Sequence, residues 1–288
     1  MTTYAVTGAS GQLGHLAAER LLQRVDASDV VLLSRDPAKL AQFADRGATV
    51  RAADFTRPET LADAFAGVDR LLLVSTDAIG ERVAHHRAAI DAAVAAGVER
   101  IAYTSLPRPT ADNPAGVVPD HAATEEYLRA SGLGWSMLRN NLYADMQVDA
   151  VRQAAAHGSF VTNYGAGRAA FVTRADCAAA AVGALVSDTG DVVHDVTGPE
   201  AWTAEGLAGL ASEVSGTQVG VTDLDDAAYA ETLAGVGLPQ PVVELVVSFG
   251  RSVREGFLAD VTTAVRDLGG ADATSLRDLV SRPGDLVS

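Results

Sequence analysis

Thr7-Gly8-Ala9-Ser10-Gly11-Gln12-Leu13-Gly14 follows directly on the short apolar run Tyr4-Ala5-Val6, and beyond it Leu13, Ala17 and Leu21 recur at helical spacing. Glycine lets a chain turn tightly out of a strand and lets a pyrophosphate approach with no side chain between. The unpaired N–H groups of the helix that follows attract the anion. The spacing Gly8-x-x-Gly11-x-x-Gly14 departs from the more usual Gly-x-Gly-x-x-Gly, so its context carries the weight. A strand precedes it, an amphipathic helix follows, and a second apolar run, Val30–Ser34, comes one βα unit later. These features predict a site for a phosphate-rich dinucleotide.

Working outward, short apolar runs alternate with helical patterns through the first half of the chain, the mark of a parallel sheet covered on both faces. The predicted strands are Tyr4–Thr7, Val30–Ser34, Ala48–Ala53, Arg70–Val74, Arg100–Thr104 and Trp135–Leu138. Pro37 and Pro58 stand in the first turns of predicted helices. A long helix is expected over Gly80–Gly97, with Val83, Ile90 and Val94 towards one face and His85 and His86 read as solvated. The fold class is therefore α/β, a Rossmann-type doubly wound parallel sheet. After Asn140 the alternation breaks down into a smaller, mostly helical part, with a helix from about Arg174, a strand near Val192–Val196 and two helices divided by Gly235 to Pro241. The expected division is a nucleotide domain of residues 1–151 and 168–198 and a substrate domain of residues 152–167 and 199–288.

An acid at the end of the second strand would bond the adenosine ribose and repel an added 2′-phosphate. Here Ser34-Arg35 stands in that place. A guanidinium offers a planar, charge-assisted fork for a phosphate, so the expected cofactor is NADPH.

Composition narrows the partners. At 288 residues the chain can bury a large core, and 22 basic against 37 acidic residues give a formal charge of −15, which disfavours nucleic acid. No apolar stretch approaches the roughly 18 residues of a membrane span. With Tyr4-Ala5-Val6 close to the start, the expectation is a soluble cytoplasmic protein, with a homodimer left open. The lone Cys177 in an alanine-rich run reads as a small buried helix residue. His15, His85, His86, His121, His157 and His194 show no metal-ligand spacing, and no metal is expected.

With these elements in place, the chain resembles the NmrA-like group of atypical short-chain dehydrogenases, and within it the type 2 quinone oxidoreductases that use NADPH. The resemblance rests on Thr7 to His15, Arg35-Asp36-Pro37-Ala38-Lys39, Leu71 to Ser75, Ala95 to Val98 leading to Ile101 to Ser105, and Leu138-Arg139-Asn140. Ala201-Trp202-Thr203 and Val236 to Pro239 add to it. It implies nucleotide contacts from Gly8, Ser10, Gly11, Gln12 and Leu13, with Arg35 at the 2′-phosphate. Asp54 and Phe55 would lie near adenine, and Ser75 and Thr76 beside the ribose and nicotinamide. Asp54 reads equally as an exposed loop acid.

Most short-chain dehydrogenases carry a Tyr-x-x-x-Lys pair whose tyrosine protonates the substrate oxygen. Here His121 and Glu125 fall where relatives have the lysine and a following glutamate, and Val117 stands in the place of the tyrosine. Ser105 matches the family serine. His121 reads either as a proton relay or ribose contact, or as a structural histidine beside an N-capping Asp120. Asn140, Asn141 and Tyr143, at the end of the sixth strand, are the expected substrate contacts, with Tyr143 joining Ser105 and His121 as catalytic candidates. Hydride transfer to a simple ketone makes a strongly basic alkoxide that needs a positioned acid, whereas a quinone yields a phenolate-like anion that water can protonate. A quinone acceptor is the leading expectation. A ketoreductase of aromatic or polyketide-like ketones and a non-catalytic NADP-sensing regulator are the alternatives. Arg35→Asp is expected to lower the kcat/KM preference for NADPH over NADH by about tenfold or more, as loss of a charge-assisted contact implies; an unchanged ratio refutes the role of Arg35.

Overall fold

The computed structural model describes residues 1–78 and 80–281. Seven parallel strands form the central sheet: β1 (Tyr4–Val6), β2 (Val30–Ser34), β3 (Thr49–Ala52), β4 (Arg70–Leu73), β5 (Arg100–Ser105), β6 (Gly134–Asn140) and, further along the chain, β9 (Val192–Val196). Their order is β3-β2-β1-β4-β5-β6-β9. The chain leaves β1 towards β2 on one side and returns to β4 on the other, so a crevice opens at the carboxyl ends of β1 and β4. The predicted strands match to within two residues at either end. The run near Val192 becomes the seventh strand, pairing with β6 from Ser136↔Val192 to Asn140↔Val196.

Helices are α1 (Gln12–Leu21), α2 (Ala41–Ala44), α3 (Leu61–Phe65), α4 (Arg82–Ala96), α5 (Val118–Ala130), α6 (Ala144–His157), α7 (Arg174–Ser187), α8 (Ala204–Ser215), α9 (Asp226–Gly235), α10 (Gln240–Arg254), α11 (Ala264–Gly269) and α12 (Leu276–Ser281). The segments led by Pro37 and Pro58 are 3-10 turns, Pro37–Leu40 and Pro58–Thr60, that run into short α2 and α3. Alternation along each strand divides the core between the two faces. Val6, Leu32, Leu72, Ala102 and Leu138 pack with α1 and α7, while Ala5, Leu33, Leu73, Tyr103 and Met137 pack with α3, α4 and α5. With both faces covered, Val30 to Ser34 is buried at every position.

A third apolar cluster joins α6, α8 and α12 to Phe160, Phe171 and Trp202. Two small sheets belong to this part: β7 (Ser159–Thr162) parallel to β11 (Gly220–Asp223), and β8 (Arg168–Ala169) antiparallel to β10 (Trp202–Thr203). Leu106, Ala115, Val117 and Val118 pack on Leu245 and Phe249 of α10, tying the loop after β5 to the carboxyl-terminal helices.

One expected face is corrected. On α4 the buried residues are Arg82, His86, Ala89, Ile90 and Ala93, whereas Val94 is 44% exposed. His86 is fully buried, contrary to its reading as solvated.

Helix α1 starts where it does because Gly14 lies against the first turn. A Cβ on Gly14 would stand 2.2 Å from the Gly8 carbonyl oxygen and 3.0 Å from Ala9 Cα, both rigid backbone. Gly14→Ala is expected to lower unfolding stability by about 1–3 kcal/mol through overpacking, read from urea midpoints; wild-type stability would show that the turn yields.

Candidate active site

Three segments build the crevice. In the first, Gly8 takes φ +59°, a left-handed conformation open to glycine, and its carbonyl accepts from Gly11 N–H at 2.8 Å. Gly11 then caps α1 with no side chain bonded to the helix start. Helices α7, α8 and α9 differ, for Thr173, Thr203 and Asp225 satisfy an N–H in each first turn. The first-turn N–H groups of α1 are thus left for a ligand, with the positive end of the helix dipole behind them.

The second segment follows β2. Ser34 Oγ lies 2.8 Å from Ser10 Oγ and accepts from Asp36 N–H at 3.1 Å, which joins the first turn to the second. Arg35 and, four residues later, Lys39 line the crevice and are exposed. Beyond β3, Asp54 Oδ1 accepts from the Thr56 hydroxyl at 2.8 Å and from Thr56 N–H at 3.0 Å. The bond from the Thr56 side chain is the main cause holding the Asp54 carboxyl below the usual carboxylate value.

The third segment, Val74-Ser75-Thr76, continues the line of β4 beyond its last ladder pair, Leu73↔Tyr103. Each of its backbone N–H groups is taken by a side chain from a different element. Val74 N–H donates to Thr7 Oγ1 at 2.9 Å, Ser75 N–H to Thr104 Oγ1 at 2.8 Å, and Thr76 N–H to His86 Nε2 at 3.1 Å. The wall therefore offers hydroxyls rather than amides to a ligand. The Thr76 hydroxyl is buried and makes no hydrogen bond among the described residues.

These segments enclose a cleft of about 590 Å³. Gly8, Ser10, Gly11, Gln12, Leu13, Arg35, Asp54, Phe55, Ser75 and Thr76 all line it. Lys39 and His85 line it too, beyond the expected contacts, and His85 is half-buried there rather than solvated; the four-residue spacing of Lys39 from Arg35 was the available signal. The cleft fits a nicotinamide dinucleotide phosphate on chemical grounds. It combines an uncapped helix start for a pyrophosphate, glycine where backbone must approach, two cations for a phosphate and, on a lining residue, a buried hydroxyl without a partner among the described residues.

Of the catalytic and substrate candidates, Tyr143 alone lines the cleft. The Arg174 guanidinium lies 4.5 Å over its ring, and burial raises the phenol above its ordinary value, which keeps it protonated. Asn140 ends β6 with both amide atoms buried and without a hydrogen bond among the described residues. Asn141 is buried, donating to Leu258 O at 3.0 Å and accepting from Leu142 N–H at 2.8 Å.

Ser105 and His121 are both buried outside the cleft lining, which for His121 agrees with the structural alternative. Ser105 Oγ donates to Glu125 Oε1 at 2.8 Å; Glu125 is 1% exposed and also accepts from Arg129 and, through two bonds, Arg139. Burial pushes the Glu125 carboxyl up, but hydrogen bonds from Arg139 and Ser105 and the nearby charges outweigh this and hold it low. The serine is thus committed to a buried ion cluster. Helix α5 begins two residues before Asp120, with Val117 at its cap and proline in its first turn, so Asp120 is inside the helix and pairs with Arg82 at 3.3 Å. The side chain of Val117, where the tyrosine would stand, belongs to the apolar cluster on α10. His121 is buried, with Nδ1 2.7 Å from the Tyr103 hydroxyl. Among the described residues no group of three or more His, Cys, Asp or Glu side chains is arranged to hold a metal ion.

Sheet order, switch-point cleft and uncapped first helix together define a Rossmann-type dinucleotide-binding protein. The family model described as NAD(P)H-binding matches residues 8–188, and the chain belongs to that family. It is 39% identical over 279 residues to quinone oxidoreductase 2 of Escherichia coli strain K12, covering 96% of this chain and 97% of that protein. The crystal structure of the Escherichia coli NADPH-dependent quinone oxidoreductase complexed with NADPH superposes with a TM-score of 0.93 at 38% identity, over 97% of this chain and 99% of that one. The Citrobacter triphenylmethane reductase complexed with NADP(H) gives a TM-score of 0.89 at 32% identity, over 96% and 98% of the two chains.

The two buried histidines make stability depend on pH. Burial, foremost, and the Arg82 charge lower His86 from 6.5 to about 3 and hold His121 well below 6.5. Because both folded values are depressed, the unfolded chain takes up protons first as pH falls below 6.5. Their contribution is complete above pH 6.5 and lost progressively below it. Urea unfolding should give about 2–3 kcal/mol less stability at pH 5.5 than at pH 7.5, above the range in which carboxylates titrate; equal values would mean that both rings protonate in the fold as they do in water.

Proposed function

We propose that this protein is an NADPH-dependent oxidoreductase that reduces quinones. The observation that carries the reading is a nucleotide cleft complete in its parts, in a chain that has an apolar Val117 at the sequence position where related reductases carry their acid. The near full-length likeness to a protein described as a quinone oxidoreductase supports it.

When bound, NADPH supplies the hydride. The chain's own residues bind and orient. The first turn of α1 with Gly8, Ser10, Gly11, Gln12 and Leu13 holds the pyrophosphate, Arg35 with Lys39 takes the 2′-phosphate, and Asp54 and Phe55 flank the adenine. Ser75 and Thr76 present hydroxyls to the ribose and nicotinamide. Tyr143 and Asn140 contact the acceptor, the phenol as a hydrogen-bond donor. A hydroquinone anion is a weak enough base to take its proton from water, so rate comes from placement and exclusion of solvent rather than from a dedicated acid. His121 and Ser105, committed to Tyr103 and Glu125, are no longer assigned to proton transfer.

In the same reading, residues 1–151 and 168–198 form the nucleotide domain, and residues 152–167 and 199–288 form the substrate domain, whose last seven residues lie outside those described. Among the described residues no helix is long and apolar enough to cross a membrane, and a cytoplasmic setting belongs to the proposal.

Oxidation of NADPH should be followed with simple quinones, with polycyclic ketones and with no acceptor. Turnover of quinones is the expected result. Turnover of ketones alone would replace the reading with a ketoreductase, and tight NADPH binding without turnover would replace it with a nucleotide-sensing regulator.

A further inference from the structure

His86 is absent from the cleft lining, yet it holds the peptide that forms part of its wall. Thr76 is grasped at both backbone groups by α4: its N–H donates to His86 Nε2 at 3.1 Å, and its carbonyl accepts from Arg82 Nε at 2.7 Å. Arg82 is itself 6% exposed and anchored on Asp120 of α5. A segment beyond the end of a strand has no ladder to fix it, so these side-chain bonds take the place of one.

The neighbours of His86 select its tautomer. The Thr124 hydroxyl donates its single proton to Asp120 O at 2.8 Å, which leaves its oxygen to accept from His86 Nδ1 at 3.0 Å. With the proton on Nδ1, Nε2 keeps its lone pair and faces Thr76 N–H. The Tyr103 hydroxyl lies 3.4 Å from His86 Nδ1 and 2.7 Å from His121 Nδ1. The bonds from Thr76 N–H to His86 Nε2, from His86 Nδ1 to Thr124 Oγ1 and from Thr124 to Asp120 O run in one consistent direction.

We propose that His86 is a positioning residue for the cofactor. Through Thr124 it is held in the tautomer that accepts from Thr76, and through Thr76 it sets the wall against which the nicotinamide half of NADPH binds. The assignment rests on the nucleotide-binding reading of the cleft and goes beyond it by placing a determinant of affinity on a residue that touches no ligand.

Two substitutions separate this role from simple packing. Glutamine places its carboxamide near the position of Nε2, whereas asparagine places it near Nδ1. His86→Gln is expected to retain the acceptor for Thr76 N–H, with an NADPH dissociation constant within about twofold of wild type. His86→Asn leaves that N–H buried and unpaired, and should raise the dissociation constant about tenfold, with kcat at saturating NADPH changed far less. NADPH fluorescence titration gives the constant without turnover, and thermal midpoints check the fold of each variant. Thr124→Val, remote from the cleft and close in shape, should also weaken NADPH binding severalfold by releasing the tautomer. Equal dissociation constants for the glutamine and asparagine variants, or wild-type binding by Thr124→Val, would overturn the proposal. Failure of the wild-type protein to bind NADPH would instead overturn the nucleotide-binding reading beneath it.

Discussion

The structure depends on how closely helix α1 approaches the turn that leaves β1. Gly14 sits against the carbonyl of Gly8 and the Cα of Ala9 at a distance that no side chain could share. That approach brings the uncapped start of α1 to the carboxyl end of the sheet, at the point where strand order reverses between β1 and β4. Everything that lines the cleft is arranged around this contact. Ser10 of the turn meets Ser34 at the end of β2, and Thr7 before the turn holds the Val74 N–H beyond β4. The glycine spacing therefore does more than admit a phosphate; it sets the distance between three loops.

Polar burial follows a second logic. Where the usual acid-base machinery of related enzymes would stand, this chain keeps buried polar groups but turns them to internal support. Glu125 gathers Ser105, Arg129 and Arg139, joining β5, α5 and β6. His86, Tyr103, His121 and Arg82 form a neighbouring cluster behind Thr76. Each cluster is satisfied mainly by its own members, as buried polar groups generally are. An acceptor whose reduced form is a weak base suits such a site, since the protein need only hold its reactants together.

Much of this was legible in the chain. Six of the seven sheet strands follow from apolar runs because a parallel sheet buried on both faces needs unbroken apolar residues, and the seventh was read as a strand without its place. The nucleotide loop and Arg35 follow from local chemistry alone. Reading the face of α4 failed because Val83, Ile90 and Val94 suggested one stripe, whereas packing chose the stripe of His86, Ala89, Ile90 and Ala93. A histidine four residues before Ile90 was a usable sign, since i and i+4 share a helix face. For Asn141 no sign existed, because its partner is the backbone of Leu258, far along the chain.

The sequence by itself determined the doubly wound sheet, the position of the dinucleotide loop and the lack of a tyrosine at Val117, because each is written in local residue type and spacing. Only the tertiary structure decided which polar side chains face the ligand and which serve the scaffold. Ser105 and His121 look like catalytic groups in one dimension, but Glu125 and Tyr103 reach them in three. The orientation of a side chain is set by the partners that folding brings to it. Those partners come from separate elements, and only packing settles which elements meet.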